Sequence, residues 1–238
     1  MGREVARLAL DGMRGAEVVA GYDVLPVDTR EFPTYTDWNA VTEEVDCIVD
    51  FSHHSGTEAL LRFATARKIP LVLATTGHTE EETDLIMEAA KQIPLFHSAN
   101  MSLGIALLVE LAKMTAKAFP DADIEIIEKH HNRKLDAPSG TALLLANAIR
   151  EIREKATFVL GRGGQAKRTS EEIGIHAVRM GNIIGEHEVI VGTDSQTVTL
   201  KHEAHSRALF AEGALAAAEF LVGKDAGLYD MKKMIDRE

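Results

Sequence analysis

The chain has 238 residues, 45% hydrophobic and 26% charged, an ordinary balance for a globular protein with room for one large domain or two modest ones. A formal net charge of −11 argues against nucleic acid or an anionic membrane as its main partner. Cys47 is the only cysteine, which excludes an internal disulfide, and no signal peptide or apolar stretch of transmembrane length is present, so a cytoplasmic protein is expected.

In chain order, the first part alternates amphipathic and apolar runs. Helices are predicted over Glu4–Leu10, Gly56–Arg67, Glu80–Gln92 and Leu103–Ala118, where apolar residues recur every three or four positions. Strands are predicted over Glu17–Tyr22, Val45–Phe51, Pro70–Ala74 and Pro94–His97. Strands that are apolar throughout and alternate with helices imply a parallel sheet covered on both faces. Three of them run into small and polar residues: Ser52-His53-His54, Thr75-Thr76-Gly77 and Ser98-Ala99-Asn100-Met101. Loops at successive carboxyl ends of a parallel sheet are where open α/β folds bind ligands, although Ser52 and Thr79 would serve equally as helix caps.

After Pro120 the pattern changes. Ala122–Lys129 is a predicted strand, Ser139–Lys155 a helix and Arg162–Glu172 a glycine-rich mobile loop. Ile173–Met180, Glu186–Gly192 and Gln196–Glu203 are predicted strands joined by short turns, giving a mainly antiparallel sheet with a helix packed on it. A last helix, Ala208–Val222, precedes Gly223, a candidate C-cap. The expected fold is α/β: a Rossmann-like dinucleotide-binding domain over 1–101 and 208–238, and an α+β substrate and oligomerisation domain over 102–207.

The chain opens Met1-Gly2-Arg3-Glu4 directly into a helix. A dinucleotide-binding unit starts strand, glycine-rich turn, helix, so its first strand and turn are expected to be missing here. Asp23 lies at the end of the following strand, where an acidic residue usually binds an adenosine ribose; a solvated turn carboxylate fits equally well. No arginine follows Asp23 directly, which favours NADH over NADPH.

Residues 125–142 read EIIEKHHNRKLDAPSGTA. Pro138 closes a loop and Ser139-Gly140-Thr141 opens a helix, so backbone N–H groups, hydroxyls and the positive end of a helix dipole meet at one spot, a receptor for carboxylate or phosphate. Lys134 adds a point charge, and Asp136 is placed to hold Lys134 or a histidine. His130 and His131 follow a strand, so they point to opposite sides. The sum is a pocket for an anionic small molecule with a proton donor that titrates near neutral pH. Taken singly, each residue has a plainer role: surface histidines, a solvated lysine, an N-cap serine. His130, His131, Glu128 and Asp136 are all potential metal ligands, but neighbouring histidines rarely converge on one ion and no H-x-x-x-H pair occurs, so no metal is expected.

The run Glu125-Ile126-x-Glu128-x-His130-x-x-x-Lys134-x-Asp136-x-Pro138-Ser139-Gly140-Thr141-Ala142 resembles the signature of the 4-hydroxy-tetrahydrodipicolinate reductase (dihydrodipicolinate reductase) family of bacterial lysine biosynthesis. The likeness extends through Val49-Asp50-Phe51-Ser52, Ala74-Thr75-Thr76-Gly77, Ser98-Ala99-Asn100-Met101-Ser102, Gly185-Glu186-His187 and Phe210-Ala211-x-Gly213-Ala214. It implies hydride transfer from NADH or NADPH to C4 of a cyclic dicarboxylic substrate with loss of water. It further implies that His130 is the catalytic histidine, that Lys134 donates a proton, and that His131, Ser139, Gly140 and Thr141 bind substrate. Gly2, Arg3, Asp23, Ala74, Thr75, Thr76, Ser98, Ala99, Asn100 and Met101 match cofactor positions, Ala74 standing where the family usually has glycine. A homotetramer built through the C-terminal sheets is implied, with the last helix packing back on the first domain. Of the family's opening G-x-x-G-x-M-G turn only Met1-Gly2-Arg3 remains, which motivates the alternative of a non-catalytic relic that binds pyridine dicarboxylates without the dinucleotide.

Overall fold

The computed structural model describes residues 1–237. The chain divides into two compact units: Met1–Ser102 together with the chain from Ala208 onward, and Leu103–Arg207.

The first unit runs α1 (Gly2–Leu10), β1 (Gly21–Tyr22), β2 (Thr34–Tyr35), β3 (Ile48–Asp50), α2 (Thr57–Arg67), β4 (Leu71–Leu73), α3 (Glu80–Ala90) and β5 (Pro94–His97). Its main sheet has four parallel strands, three of them β3, β4 and β5 in register, with β3 at one edge. β4 is apolar and buried at every position because helices cover both of its faces. On one face α2 and α3 contribute Leu60, Leu61, Ile86 and Ala89 to a core shared with Leu71, Leu73 and Leu95. α3 starts on a capping box, in which Thr79 and Glu82 satisfy each other's backbone N–H groups. α2 has no side-chain cap: Gly56 occupies its N-cap, and the Ser52 N–H bonds the Asp50 carboxylate instead.

The predicted strand Glu17–Tyr22 forms a ladder only at Gly21–Tyr22, paired with β2 and outside the main sheet. Its earlier residues are held by packing, since Ala16 and Val18 lie against the cluster of Leu8, Ala9, Ala211 and Leu215.

The second unit contains α4 (Leu103–Ala118), β6 (Asp123–His130), α5 (Gly140–Ile152), β7 (Thr157–Leu160), β8 (Glu172–Arg179), β9 (Gly185–Gly192) and β10 (Thr197–Ala204). Its five strands are ordered β10-β9-β6-β8-β7. β9 pairs antiparallel with β10 and β6, whereas β8 pairs parallel with β6 and β7. The sheet is therefore evenly mixed rather than mainly antiparallel: α5 carries the chain across before β7 and β8, and such a crossover returns a strand parallel. One face packs on α4 and α5 through Ile105, Leu108, Leu145 and Ile149 against Ile124, Ile126, Ile173 and Val189. The glycine-rich segment before β8 is tied down by its arginines. Arg162 bonds Glu125 and Glu172, and Arg168 bonds Asp123, Glu125 and the Ile124 and Glu172 carbonyls.

The chain then rejoins the first unit with α6 (Ala208–Leu221), β11 (Gly227–Tyr229) and α7 (Met231–Asp236). α6 is alanine-rich and lies against β3, β4, β5 and α1, and Gly223 follows it at φ +77°. β11 adds the fourth strand beside β5. Among the described residues, no helix is long and apolar enough to cross a membrane.

Candidate active site

β6 alternates fully buried positions with less buried ones along its length, and the buried parity is Ile124, Ile126, Glu128, His130. Two hydrophobes facing the core are thus followed, on the same face, by a carboxylate and an imidazole. Glu128 is completely buried. Its Oε2 accepts from His130 Nδ1 at 2.6 Å and from Arg179 at 2.7 Å; its Oε1 accepts from the other Arg179 nitrogen at 2.7 Å and from the Ser139 backbone N–H at 2.9 Å. Burial alone would raise the Glu128 pKa, but the bonds from His130, Arg179 and the Ser139 N–H outweigh it and hold the group down at about 2.

The His130 ring stands edge-on to the buried His187, 5.2 Å between centroids. His187 Nε2 lies 3.0 Å from Ser139 Oγ, and its Nδ1 has no hydrogen-bond partner among the described residues. Burial pushes His187 down to about 4, with the neighbouring His130 adding to the effect, so it is neutral at physiological pH. Glycine at 185 leaves room beside His130: a Cβ there would lie 3.1 Å from Nε2.

Beyond β6 the loop carries His131, half-buried, and Lys134, whose Nζ bonds Asp136 at 2.8 Å. That bond holds the Asp136 carboxyl below its usual range. Desolvation pushes His131 down, and the positive groups Arg133, His130, Arg207 and Lys134 push it further. Neither Arg133 nor Arg207 is paired with a carboxylate among the described residues. In a chain of net charge −11 this is a local concentration of unneutralised cations. The loop ends at a cis Ala137–Pro138 bond and the start of α5.

At that helix start, Ser139 departs from the sequence expectation. It is buried, and its hydroxyl accepts from the Ala142 N–H as an N-cap and contacts His187. Its N–H belongs to Glu128, so both groups are committed internally. Gly140 is exposed and Thr141 half-buried, at the positive end of the helix. Arg179, Arg207 and His187 were not singled out as site residues by sequence. His187 stands in the quoted Gly185-Glu186-His187 run, whereas the two arginines carry no local signal.

In the first unit the candidate cofactor residues lie where the parallel strands end. Ala74 and Thr75 leave β4 buried, and Thr75 Oγ1 bonds the Asp50 carboxylate at 2.5 Å, tying two neighbouring strand ends together. Thr76 is exposed. After β5, Ser98 Oγ bonds the Asn100 carbonyl at 2.8 Å and the Ser102 N–H bonds Asn100 Oδ1 at 2.9 Å, forming a self-bonded turn with Ala99 exposed at its tip. Met101 is buried, so its side chain belongs to the core. The turn lies so close to α6 that a Cβ on Gly213 would sit 1.7 Å from the Met101 carbonyl oxygen. Asp23 directly follows β1, exposed, with Oδ1 accepting the Leu25 N–H at 3.0 Å, which is the turn role open to it. Gly2 and Arg3 form the exposed first turn of α1. The small, partly exposed strand-end loops fit the nicotinamide side of a dinucleotide, which open α/β sheets take at this edge. Among the described residues no group of three or more His, Cys, Asp or Glu is placed to hold a metal ion.

A parallel-sheet unit with small and polar loops at its carboxyl edge, together with a mixed-sheet unit that carries a buried carboxylate–histidine pair and neighbouring cations, is the pattern of a two-unit α/β enzyme that takes its ligand at the strand ends. The comparisons narrow the class. The family profile "Dihydrodipicolinate reductase, N-terminus" matches residues 1–101 and "Dihydrodipicolinate reductase, C-terminus" matches residues 104–235. The chain is similar to the 4-hydroxy-tetrahydrodipicolinate reductases of Caldanaerobacter subterraneus subsp. tengcongensis (49% identical, covering 100% of this chain and 94% of that one) and Clostridium tetani (45%, covering 99% and 93%). In fold it matches a dipicolinate-bound dihydrodipicolinate reductase from Paenisporosarcina sp. TG-14, with a TM-score of 0.79 at 24% identity over 95% of this chain and 93% of that one. The chain belongs to the dihydrodipicolinate reductase family.

Proposed function

We propose that this chain reduces 4-hydroxy-tetrahydrodipicolinate to tetrahydrodipicolinate, the nicotinamide-dependent step of lysine and diaminopimelate biosynthesis carried by its family. The observation that supports the assignment to this site is the pair Arg133 and Arg207 beside His131, neither held by a carboxylate among the described residues, with Lys134 and its partner Asp136 next to them. A cyclic substrate with two carboxylates supplies negative charge for these cations, and the dipicolinate bound to the Paenisporosarcina protein has that chemistry.

The balance of the step is one hydride and one proton in, one water out. A reduced nicotinamide, NADH or NADPH, supplies the hydride to C4 of the substrate. Gly140, Thr141 and His131 orient a carboxylate at the start of α5, where dipole and N–H groups favour an anion. Lys134, held by Asp136 at 2.8 Å, is placed to give the proton, and His130 exchanges protons through Nε2, which has no hydrogen-bond partner among the described residues. Ser139 acts from behind, fixing Glu128 and His187. Thr76, Ser98, Ala99 and Asn100 would hold the nicotinamide side, Asp23 the adenosine ribose, and Gly2 and Arg3 lie at the α1 start where phosphates would rest. The absence of an arginine directly after Asp23 favours NADH. Assembly as a cytoplasmic homotetramer through the second unit's sheet is part of the same proposal.

Lys134→Ala tests the assignment. kcat is expected to fall about 10²- to 10⁴-fold, the usual worth of a positioned proton donor, with cofactor binding unchanged. An unaltered kcat removes Lys134 from the mechanism.

A further inference from the structure

We propose that Glu128 is the positioning residue of His130, fixing the proton on Nδ1 so that Nε2 is the nitrogen that exchanges protons, with Arg179 and the Ser139 backbone holding the carboxylate in place. The inference rests on the assignment of His130 to proton exchange above.

Glu128 is fully buried and receives four hydrogen bonds, from a ring nitrogen, two guanidinium nitrogens and a backbone N–H. Strand pairing does not call for such a group. β6 and β8 are joined by their own ladder, and a buried ion pair contributes little net stability over apolar residues of similar size. What the arrangement does supply is direction. A carboxylate 2.6 Å from Nδ1 accepts a hydrogen bond and cannot donate one while ionised, so the neutral imidazole carries its proton on Nδ1. The two-pronged contact with Arg179, whose second nitrogen also bonds the Asp136 carbonyl, prevents the carboxylate from rotating. Arg179 lies 51 residues further along the chain and arrives through the β6–β8 register, in which it stands opposite His130. Besides Glu128, the titratable groups that interact with His130 are His187 from β9, whose ring stands edge-on to it, and His131 from the loop.

The test uses the full-length protein. Heteronuclear NMR of its histidines, with the imidazoles neutral, is expected to show His130 as the Nδ1–H tautomer; an Nε2–H tautomer overturns the proposal whatever any variant does. Glu128→Gln keeps the shape and removes the charge. It is expected to lower kcat about ten- to hundredfold, the usual cost of losing such a support, and to move the His130 limb of the pH profile to lower pH while substrate KM stays near wild type. A wild-type kcat and pH profile in Glu128→Gln, alongside a crippled His130→Ala, overturns the positioning role alone. A fully active His130→Ala instead overturns the assignment on which it rests. If Glu128→Gln does not fold, the tautomer in the unmodified protein decides.

Discussion

Glu128 and His187 occupy the same buried face of one sheet, and their surroundings drive them to opposite charge states. Burial opposes ionisation of both. Glu128 overcomes it with bonds from His130, Arg179 and the Ser139 N–H, whereas His187 has only a serine hydroxyl and stays neutral. The consequences for stability fall in different windows of pH. His187 drops from an ordinary 6.5 to about 4, so the unfolded chain binds its proton first; the contribution is complete above about 6.5 and is lost as pH falls through about 4. Glu128 drops from 4.5 to about 2, so its contribution is complete above about 4.5 and is lost as pH falls through about 2. His78 and His97 are likewise held below the ordinary histidine range, by burial first, and add stability that is complete above about 6.5. Unfolding free energy measured by denaturant titration should therefore decline from about pH 6.5 downward, and His187→Asn should reduce that slope. A His187→Asn slope as steep as wild type would show that the buried imidazole is not held neutral. Much at this scale was legible in the sequence. Strand alternation puts Glu128 and His130 on one face, and Lys134 and Asp136 are close enough in the chain for their pairing to be foreseen. Arg179 was not, because its place depends on the register between strands far apart in sequence. Ser139 kept its predicted N-cap role and is also buried against Glu128 and His187, a matter of burial that no short motif conveys.

Among the elements, α6 is set by its small residues. Ala211, Gly213, Ala214, Ala216 and Ala217 are buried, letting the helix backbone approach the sheet and the turn after β5. At Gly213 the approach leaves no space for a Cβ: the obstacle is the Met101 carbonyl, backbone that cannot move aside as a side chain would. Gly213→Ala should cost about 1–3 kcal/mol through overpacking and displace the Ser98–Met101 turn. Chemical denaturation reads the first effect and weakened cofactor binding the second; a variant with wild-type values of both would mean that the approach is looser than described. The long periodic helices and apolar strands were legible because their patterns repeat over many residues. β7 and β11 were missed because four and three residues carry too little pattern to separate strand from turn. Missing β7 also hid the parallel half of the second sheet. Glu17–Tyr22 misled for a different reason. Its apolar residues are buried by packing on α1 and α6, and burial without a ladder looks the same in sequence as burial within one.

For the molecule as a whole, composition and site give opposite signs. A net charge of −11 argues against polyanionic partners in bulk, yet around His131 the chain collects Arg133 and Arg207 without carboxylates among the described residues, and Lys134 with Asp136 as its partner. Only the folded second unit gathers Arg207, which follows β10, with residues that follow β6, so overall charge could not reveal this cationic cluster. The family relationship and this cluster together make the central claim a chemical one: the chain consumes a reduced nicotinamide only as it reduces a cyclic dicarboxylate. The direct test follows nicotinamide absorbance in the purified protein, with 4-hydroxy-tetrahydrodipicolinate generated in the assay and the product identified by mass. The account predicts that NADH or NADPH is oxidised only when that substrate is present, mole for mole with tetrahydrodipicolinate. Tight binding of the dicarboxylate with no cofactor oxidation would contradict it.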